Sequence, residues 1–336
     1  MPTGYSQKRT NLNNLHSLHS LAQRRLHFFI GKGGVGKTTV AVAFALASAA
    51  RGKKTLLIEF DEHAPAARLL GLPSQYRSVG KPQPFSSTLS VMATTGQAAL
   101  EEYLSRILPF APLRTLMLQS QLYQYFVLAA PGLKELMAMG KVWYEAQQHD
   151  RRTTFPRWDA LIIDMPASGH SLQYLRMPQA ASDTFDTGEV RRKAAQVVQL
   201  FRDPEQSAFH IVSLPEELPV EETAEIVAQI ENELHFPLGA LFINQRRTTP
   251  CDCATLDRLY PARDATSADR SLVDHMLAVA RYEARLTQAQ TAYVNQLNLL
   301  APPAIATIAL PYCFAESLGL PEVQTLSYCI QSALHP

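Results

Sequence analysis

Nine residues near the start of the chain, Gly31-Lys32-Gly33-Gly34-Val35-Gly36-Lys37-Thr38-Thr39, constrain it more than any other stretch. A short apolar run, Leu26 to Ile30, precedes them and reads as a buried strand. An alanine-rich run, Val40 to Ala50, follows and reads as a buried helix. Strand, glycine loop and helix in that order form the setting in which such a loop holds phosphate. Consecutive backbone N–H groups of Gly33, Gly34, Val35 and Gly36 curl around phosphate oxygens, because no side chain blocks the approach. The helix start adds unpaired N–H groups and a positive dipole end. Lys37 is spaced to reach the outer phosphates, the Thr38 hydroxyl to ligate Mg²⁺, and Thr39 continues the cradle.

At 336 residues, one large α/β domain or two small ones are possible. An apolar fraction of 46% with 18% charged residues suits a large core. A net charge of +1 makes no electrostatic case for nucleic acid or an acidic membrane surface. No apolar run approaches the ~20 residues of a membrane span. Residues 1–24 are polar and mildly basic, with no apolar segment of the secretory kind, and are expected to be a mobile tail. Residues 25–336 then form a single domain. Four cysteines do not make a disulfide scaffold, and together with a phosphate site they point to the cytoplasm.

Thr55 to Phe60 reads as a second strand with Asp61 just past its end, on the edge where open parallel sheets bind ligands. Residues 71–88 read as a loop, and Thr88 to Ala93 as a third strand. Residues 97–147 change character to helical periodicity, unusually apolar and mixed in Met and aromatic residues. Such a helical insertion either packs on the sheet and itself or forms a groove for an apolar client, where adaptable Met side chains are common. Trp158 to Asp164 is four apolar residues ending in Asp, the form of a second Mg²⁺-site element. The turn that follows, Met165 to Leu172, contains Gly169, whose N–H could bond a terminal phosphate and lose that bond on hydrolysis. Residues 181–205 are helical, their basic run Arg191-Arg192-Lys193 reading as a solvated face. Strands follow at 209–214 and 238–243, the latter ending at Asn244 on the ligand edge. Helices are expected at 221–234, 268–298 and 322–334, and a last strand at 304–310. Pro311 opens the next loop on that same edge.

Two resemblances emerge from these residues. Lys32, directly after the first glycine, resembles the "deviant" P-loop ATPases, which carry Lys-Gly-Gly-x-Gly-Lys-Thr. The resemblance implies a nucleotide-sandwich dimer in which Lys32 reaches the nucleotide of the facing subunit. Over residues 25–315 the chain further resembles the ArsA-type ATPases, which include the arsenite-pump ATPase and the targeting ATPase for tail-anchored membrane proteins. The best segment runs from Asp164-Met-Pro-Ala-Ser-Gly-His-Ser-Leu to Pro178. Supporting segments are Ala130 to Glu135, Ser213 to Pro219 with Glu222-Thr223, and Phe242 to Gln245. The resemblance implies an α/β fold, a doubly wound, mostly parallel sheet of the P-loop NTPase type, with a helical subdomain. It implies ATP and Mg²⁺ as cofactors, with Asp61 orienting the attacking water and joining Thr38 and Asp164 around the metal. It implies Gly169 and His170 as a switch segment and Asn244 as an adenine contact, and Pro311 is counted with the nucleotide-binding residues. Two departures stand out. The family's Asp-Pro-Ala-His is here Asp61-Glu62-His63-Ala64, and its zinc-binding Cys-x-x-Cys is here Cys251-Asp252-Cys253. One intervening residue is outside the usual zinc spacing, so Zn²⁺ competes with a pair of free loop thiols.

The expected activity is Mg²⁺-dependent ATP hydrolysis. The expected assembly is a homodimer, or a heterodimer with a related ATPase, that controls binding of an apolar client or membrane-protein partner. A positioning switch of the MinD/ParA kind is the alternative. Residues 322–336 carry no Lys or Arg for a membrane-seeking helix, and the net charge lends no support to DNA binding. Arsenite pumping finds no support, since all four cysteines lie after residue 250.

Overall fold

The computed structural model describes residues 21–73, 79–108, 110–121, 123, 130–150, 153–249, 252–259, 267–302 and 305–334. Among them, eight strands form one sheet: β1 (Leu26–Ile30), β2 (Thr55–Glu59), β3 (Gln83–Pro84), β4 (Leu89–Ala93), β5 (Ala160–Asp164), β6 (Ser207–Ser213), β7 (Leu238–Arg246) and β8 (Ala306–Pro311). Their order is β3-β4-β2-β5-β1-β6-β7-β8. All neighbours pair in parallel except β3 with β4. The chain moves from β1 outward through β2 and β4, returns to β5, and crosses β1 to β6, β7 and β8. Its direction of travel therefore reverses beside β1, the topological switch point at which open α/β sheets bind ligands.

Parallel strands covered on both faces read as continuous apolar runs, and β1, β2 and β5 are buried at every position. Alternate residues serve two cores. Phe29, Leu57, Ile162 and Phe242 face α1 (Lys37–Ala50) and the C-terminal helix Leu320–Leu334. Phe28, Ile58, Ile163 and Ile211 face the other side, with Met139, Leu175, Phe201 and Leu297. Alanines at 41, 43, 45 and 47 of α1 are all buried, so small side chains let this helix lie close on the strands.

The helical insertion comprises α3 (Gly96–Ile107), α4 (Ala111–Gln119) and α5 (Leu133–Ala146), counting Pro65–Leu69 as α2. Two further helices, α6 (Ser168–Thr184) and α7 (Glu189–Arg202), pack with it. The stretch expected to be helical over 181–205 is helical on both sides of a break at 185–188, where Gly188 has φ 102°. The expected loop over 71–88 contains the short edge strand β3. The expected turn after Asp164 becomes the first turn of α6. The long helix expected at 268–298 spans Ser267–Leu300. Of the expected tail, residues 1–20 lie outside the described residues, and the last four are docked. Leu21 is buried, and the Arg24 guanidinium donates to the Leu238 carbonyl at 3.3 Å. No described helix is long and apolar enough to cross a membrane.

Two imidazoles lie in the core between β1, β6 and α1. The Ala240 N–H donates to His210 Nδ1 at 3.1 Å, which leaves the His210 proton on Nε2. That Nε2–H donates to His27 Nδ1 at 3.0 Å, and His27 Nε2–H donates to the Arg24 carbonyl at 3.0 Å. Each ring nitrogen is satisfied with both rings neutral, and the chain has one direction. Gly239 makes room for it, since a Cβ there would sit 2.7 Å from the His210 ring. Burial pushes His27 down to about 3 and His210 well below its usual range. In the unfolded chain both titrate near 6.5. Their contribution is complete above that value and is lost as pH falls toward 3, at about 1.4 kcal/mol per pH unit for each ring. Melting temperatures at pH 7 and pH 5 should therefore fall further for the native chain than for a His27→Phe/His210→Leu variant. Equal falls would show that the pair does not govern acid stability. Comparing the two proteins separates the imidazoles from carboxylates that titrate in the same range.

Candidate nucleotide site

The loop expected to hold phosphate joins β1 to α1 at the switch point. Gly36 caps α1 with φ 85°, a left-handed conformation that favours glycine. A Cβ on Gly36 would also run into Asn244 Nδ2. Asn244, 3% exposed at the end of β7, donates from Nδ2 to the Val35 carbonyl at 2.9 Å. Its amide is therefore a brace beneath the loop. For the base contact expected of it, the Oδ1 side of the amide remains. Pro311 ends β8 and pairs in register with Arg246 on the same edge. The Arg247 guanidinium lies 3.8 Å over the Tyr312 ring and bonds Glu283 at 2.7 Å.

Lys37 is 8% exposed and its Nζ donates to the Lys32 carbonyl at 2.9 Å, folding the side chain back over its own loop. Burial lowers its pKa, opposed by the charge of Asp164. Thr39 is buried behind it. Lys32 turns onto its own chain, its Nζ 2.8 Å from Glu222 Oε1. Gly33 and Gly34 lie on the loop's exposed side, and a Cβ on Gly33 would come 3.7 Å from Ala167, the N-cap of α6. Gly169 and His170 are exposed in the first turn of α6, where N–H groups have no intrahelical partner of their own. His170 N–H is the exception, bonding the Ala167 carbonyl at 2.9 Å.

Asp164 meets Thr38, and Glu59 and Asp61 lie near enough to feel its charge. Thr38 Oγ1 donates to Asp164 Oδ2 at 2.5 Å. Asp164 Oδ1 is buried with no hydrogen-bond partner among the described residues. Burial pushes the Asp164 carboxyl up to about 6, opposed by Thr38 and Lys37 and raised further by Asp61. In the adjacent strand, Glu59 stands in register with Asp164 and is 1% exposed. Burial pushes it up to about 7, against the N–H groups of Ala66 and Ala67, which it accepts at 2.7 and 3.4 Å. Asp61 is exposed, and its Oδ1 accepts the His63 N–H at 2.8 Å. An unpartnered buried carboxylate oxygen beside a threonine hydroxyl fits a hard divalent cation, which takes oxygen ligands and removes the desolvation cost.

Glu59 escaped the sequence reading, which stopped at Asp61. Its signal was a glutamate inside an otherwise apolar strand, a residue type almost never buried unless paired. Cys251 lies outside the described residues, as does the side chain of Cys253. Among the described residues no three His, Cys, Asp or Glu side chains gather as a metal centre.

Between α3, α5, α6 and α7 lies a cavity of about 670 Å³ with apolar walls that include Leu104, Leu136, Met137 and Met177. Helix α6 belongs to both sites. It starts beside the glycine loop, packs Tyr174 at a tilt against Phe60 at 5.6 Å, and ends at the cavity with Ala180, Ala181 and Thr184. Gly132, at the start of α5, admits Met177 so closely that a Cβ would overlap its sulfur.

Known proteins share this pattern. The profile of the anion-transporting ATPase family matches residues 24–200. ATPase BagA of Mycobacterium tuberculosis is 31% identical over 248 residues, covering 73% of this chain and 71% of that protein. A putative arsenical pump-driving ATPase of Halobacterium salinarum is 26% identical over 66% of this chain and 35% of its own length. ATPase GET3C of Arabidopsis thaliana is 23% identical over 69% of this chain and 70% of its own. With the glycine loop at the switch point of a parallel sheet, these matches make the chain a member of the ArsA family of ATPases.

Proposed function

We propose that ATP binding and hydrolysis in this ATPase drive a dimer whose switch segments control an apolar-client site in the helical insertion. The observation that carries the reading is α6, one helix of 17 residues that begins at the phosphate loop and ends in the cavity wall. At 1.5 Å per residue it spans roughly 25 Å, so a shift at its first turn is felt at the client site.

In this reading the backbone of Gly33 to Gly36 cradles the phosphates, and Lys37 leaves the Lys32 carbonyl to meet them. Thr38 and Asp164 would hold Mg²⁺, with Asp61 nearby, and the bound ion supplies charge neutralisation at the β- and γ-phosphates. Asp61 orients a water in line with the γ-phosphorus. The water oxygen bonds to phosphorus as the bond to the bridging oxygen breaks, and its proton passes to the carboxylate or the departing phosphate. Gly169 N–H reports the γ-phosphate to α6. Asn244 holds the loop in shape and offers Oδ1 toward the base, with Pro311 flanking. Lys32 exchanges Glu222 for the nucleotide of a facing subunit. The relatives named as arsenical pump-driving and GET3C ATPases support an ATP-driven cycle coupled to another task.

Asp61→Asn should retain ATP binding, measured by calorimetry, while turnover falls by about 100-fold or more. Undiminished turnover would remove Asp61 from the reaction. Sedimentation of the Asp61→Asn protein should show a dimer with Mg-ATP and a monomer without nucleotide. Adding Lys32→Ala should leave it monomeric under both conditions, and a dimer that survives this change would rule out the contact in trans.

A further inference from the structure

The cavity in the helical insertion has dimensions and charges that select among apolar ligands. The cavity offers about 670 Å³. A methylene group fills about the volume of a water in the liquid, roughly 30 Å³, so a chain of about sixteen carbons needs roughly 500 Å³. One such chain fits, with space for a head group. The walls suit it, since Leu104, Leu136, Met137 and Met177 present flexible or branched alkyl surface.

Among the described residues, the charged groups lining the cavity are Glu102, Arg106, Lys141 and Lys193. Lys141 is buried and already satisfied, 2.7 Å from Glu102 and 2.8 Å from Glu145. Glu145 in turn accepts the Trp158 indole N–H at 3.2 Å. Arg106 shares Glu102 and lies over the Tyr144 ring. Lys193 is different. Its partner is Glu189, at 3.2 Å one turn away, and their side chains are 40% and 61% exposed. Such an exposed pair contributes little, so the ammonium exchanges it readily for an arriving carboxylate. Lys193 Nζ stands 5.6 Å from the Tyr103 ring, and Arg106 is the next turn of that helix, so both cations border one stretch of rim.

We propose that this cavity binds one long-chain fatty acid, its alkyl chain between α3, α5, α6 and α7 and its carboxylate on Lys193 with Arg106 beside it. The proposal rests on reading the cavity as an apolar-ligand site and names the class of ligand. The test uses the full chain and cis-parinaric acid, whose fluorescence rises in apolar surroundings, with palmitate, hexadecanol and an apolar peptide of membrane-span length as competitors. Palmitate should displace the probe about tenfold more effectively than hexadecanol, the margin of a charge-assisted hydrogen bond. Lys193→Glu, a change on an exposed surface, should erase that margin and leave hexadecanol unaffected. Leu104→Trp, which fills the cavity, should weaken both. Equal displacement by palmitate and hexadecanol, or an unaltered margin in Lys193→Glu, would overturn the carboxylate assignment. Displacement by the peptide alone would overturn the fatty acid and keep the apolar-client reading, and displacement by none of the three would end both.

Discussion

A parallel sheet covered on both faces leaves polar groups little room except at its ends, and the rest of this molecule follows from that constraint. β1, β2 and β5 are buried throughout. Their side chains alternate between two apolar cores, so chemistry collects where the strands stop. There Asp164, Glu59 and Lys37 are buried, with Thr38 half-buried beside them. The carboxylates are pushed up and the ammonium down by the same loss of solvent. Burial of such groups is costly unless partners meet their charge.

The two imidazoles in the core show how the interior otherwise admits polarity. They are tolerated because every ring nitrogen has a partner and neither ring carries charge. The buried Lys141 is tolerated by the opposite device, two carboxylates that meet its charge. One arrangement is neutral and directional and the other ionic, and both lie outside the nucleotide edge.

Much of the fold was legible before any coordinates. Apolar runs marked the seven parallel strands, and the glycine loop located the switch point. Helical periodicity separated the insertion from the sheet, and the resemblance named the family that the matches establish. The two-residue β3 was not legible, because Gln83-Pro84 carries no apolar alternation and pairs only at an edge. The break at 185–188 was not read from the sequence, although Gly188 stands within it. At the site, the glycine loop, Asp61 and Asp164 announced themselves by type and spacing. The brace from Asn244 to Val35 links residues 209 positions apart, and the Lys32–Glu222 pair joins two segments that no local pattern connects. Glu59 was visible as a glutamate in an apolar strand, yet its task depends on the backbone of Ala66 and Ala67 returning to it, which only the folded chain reveals.

That return has a mechanical consequence. The segment after Asp61 turns through Ala64, at φ 50°, and enters its short helix with two N–H groups fixed to a carboxylate that solvent scarcely reaches. Lifting this segment strips a buried acceptor of its donors, at a cost of about 1–3 kcal/mol until another partner is found. The buried carboxylate therefore rivets the short helix to the end of β2.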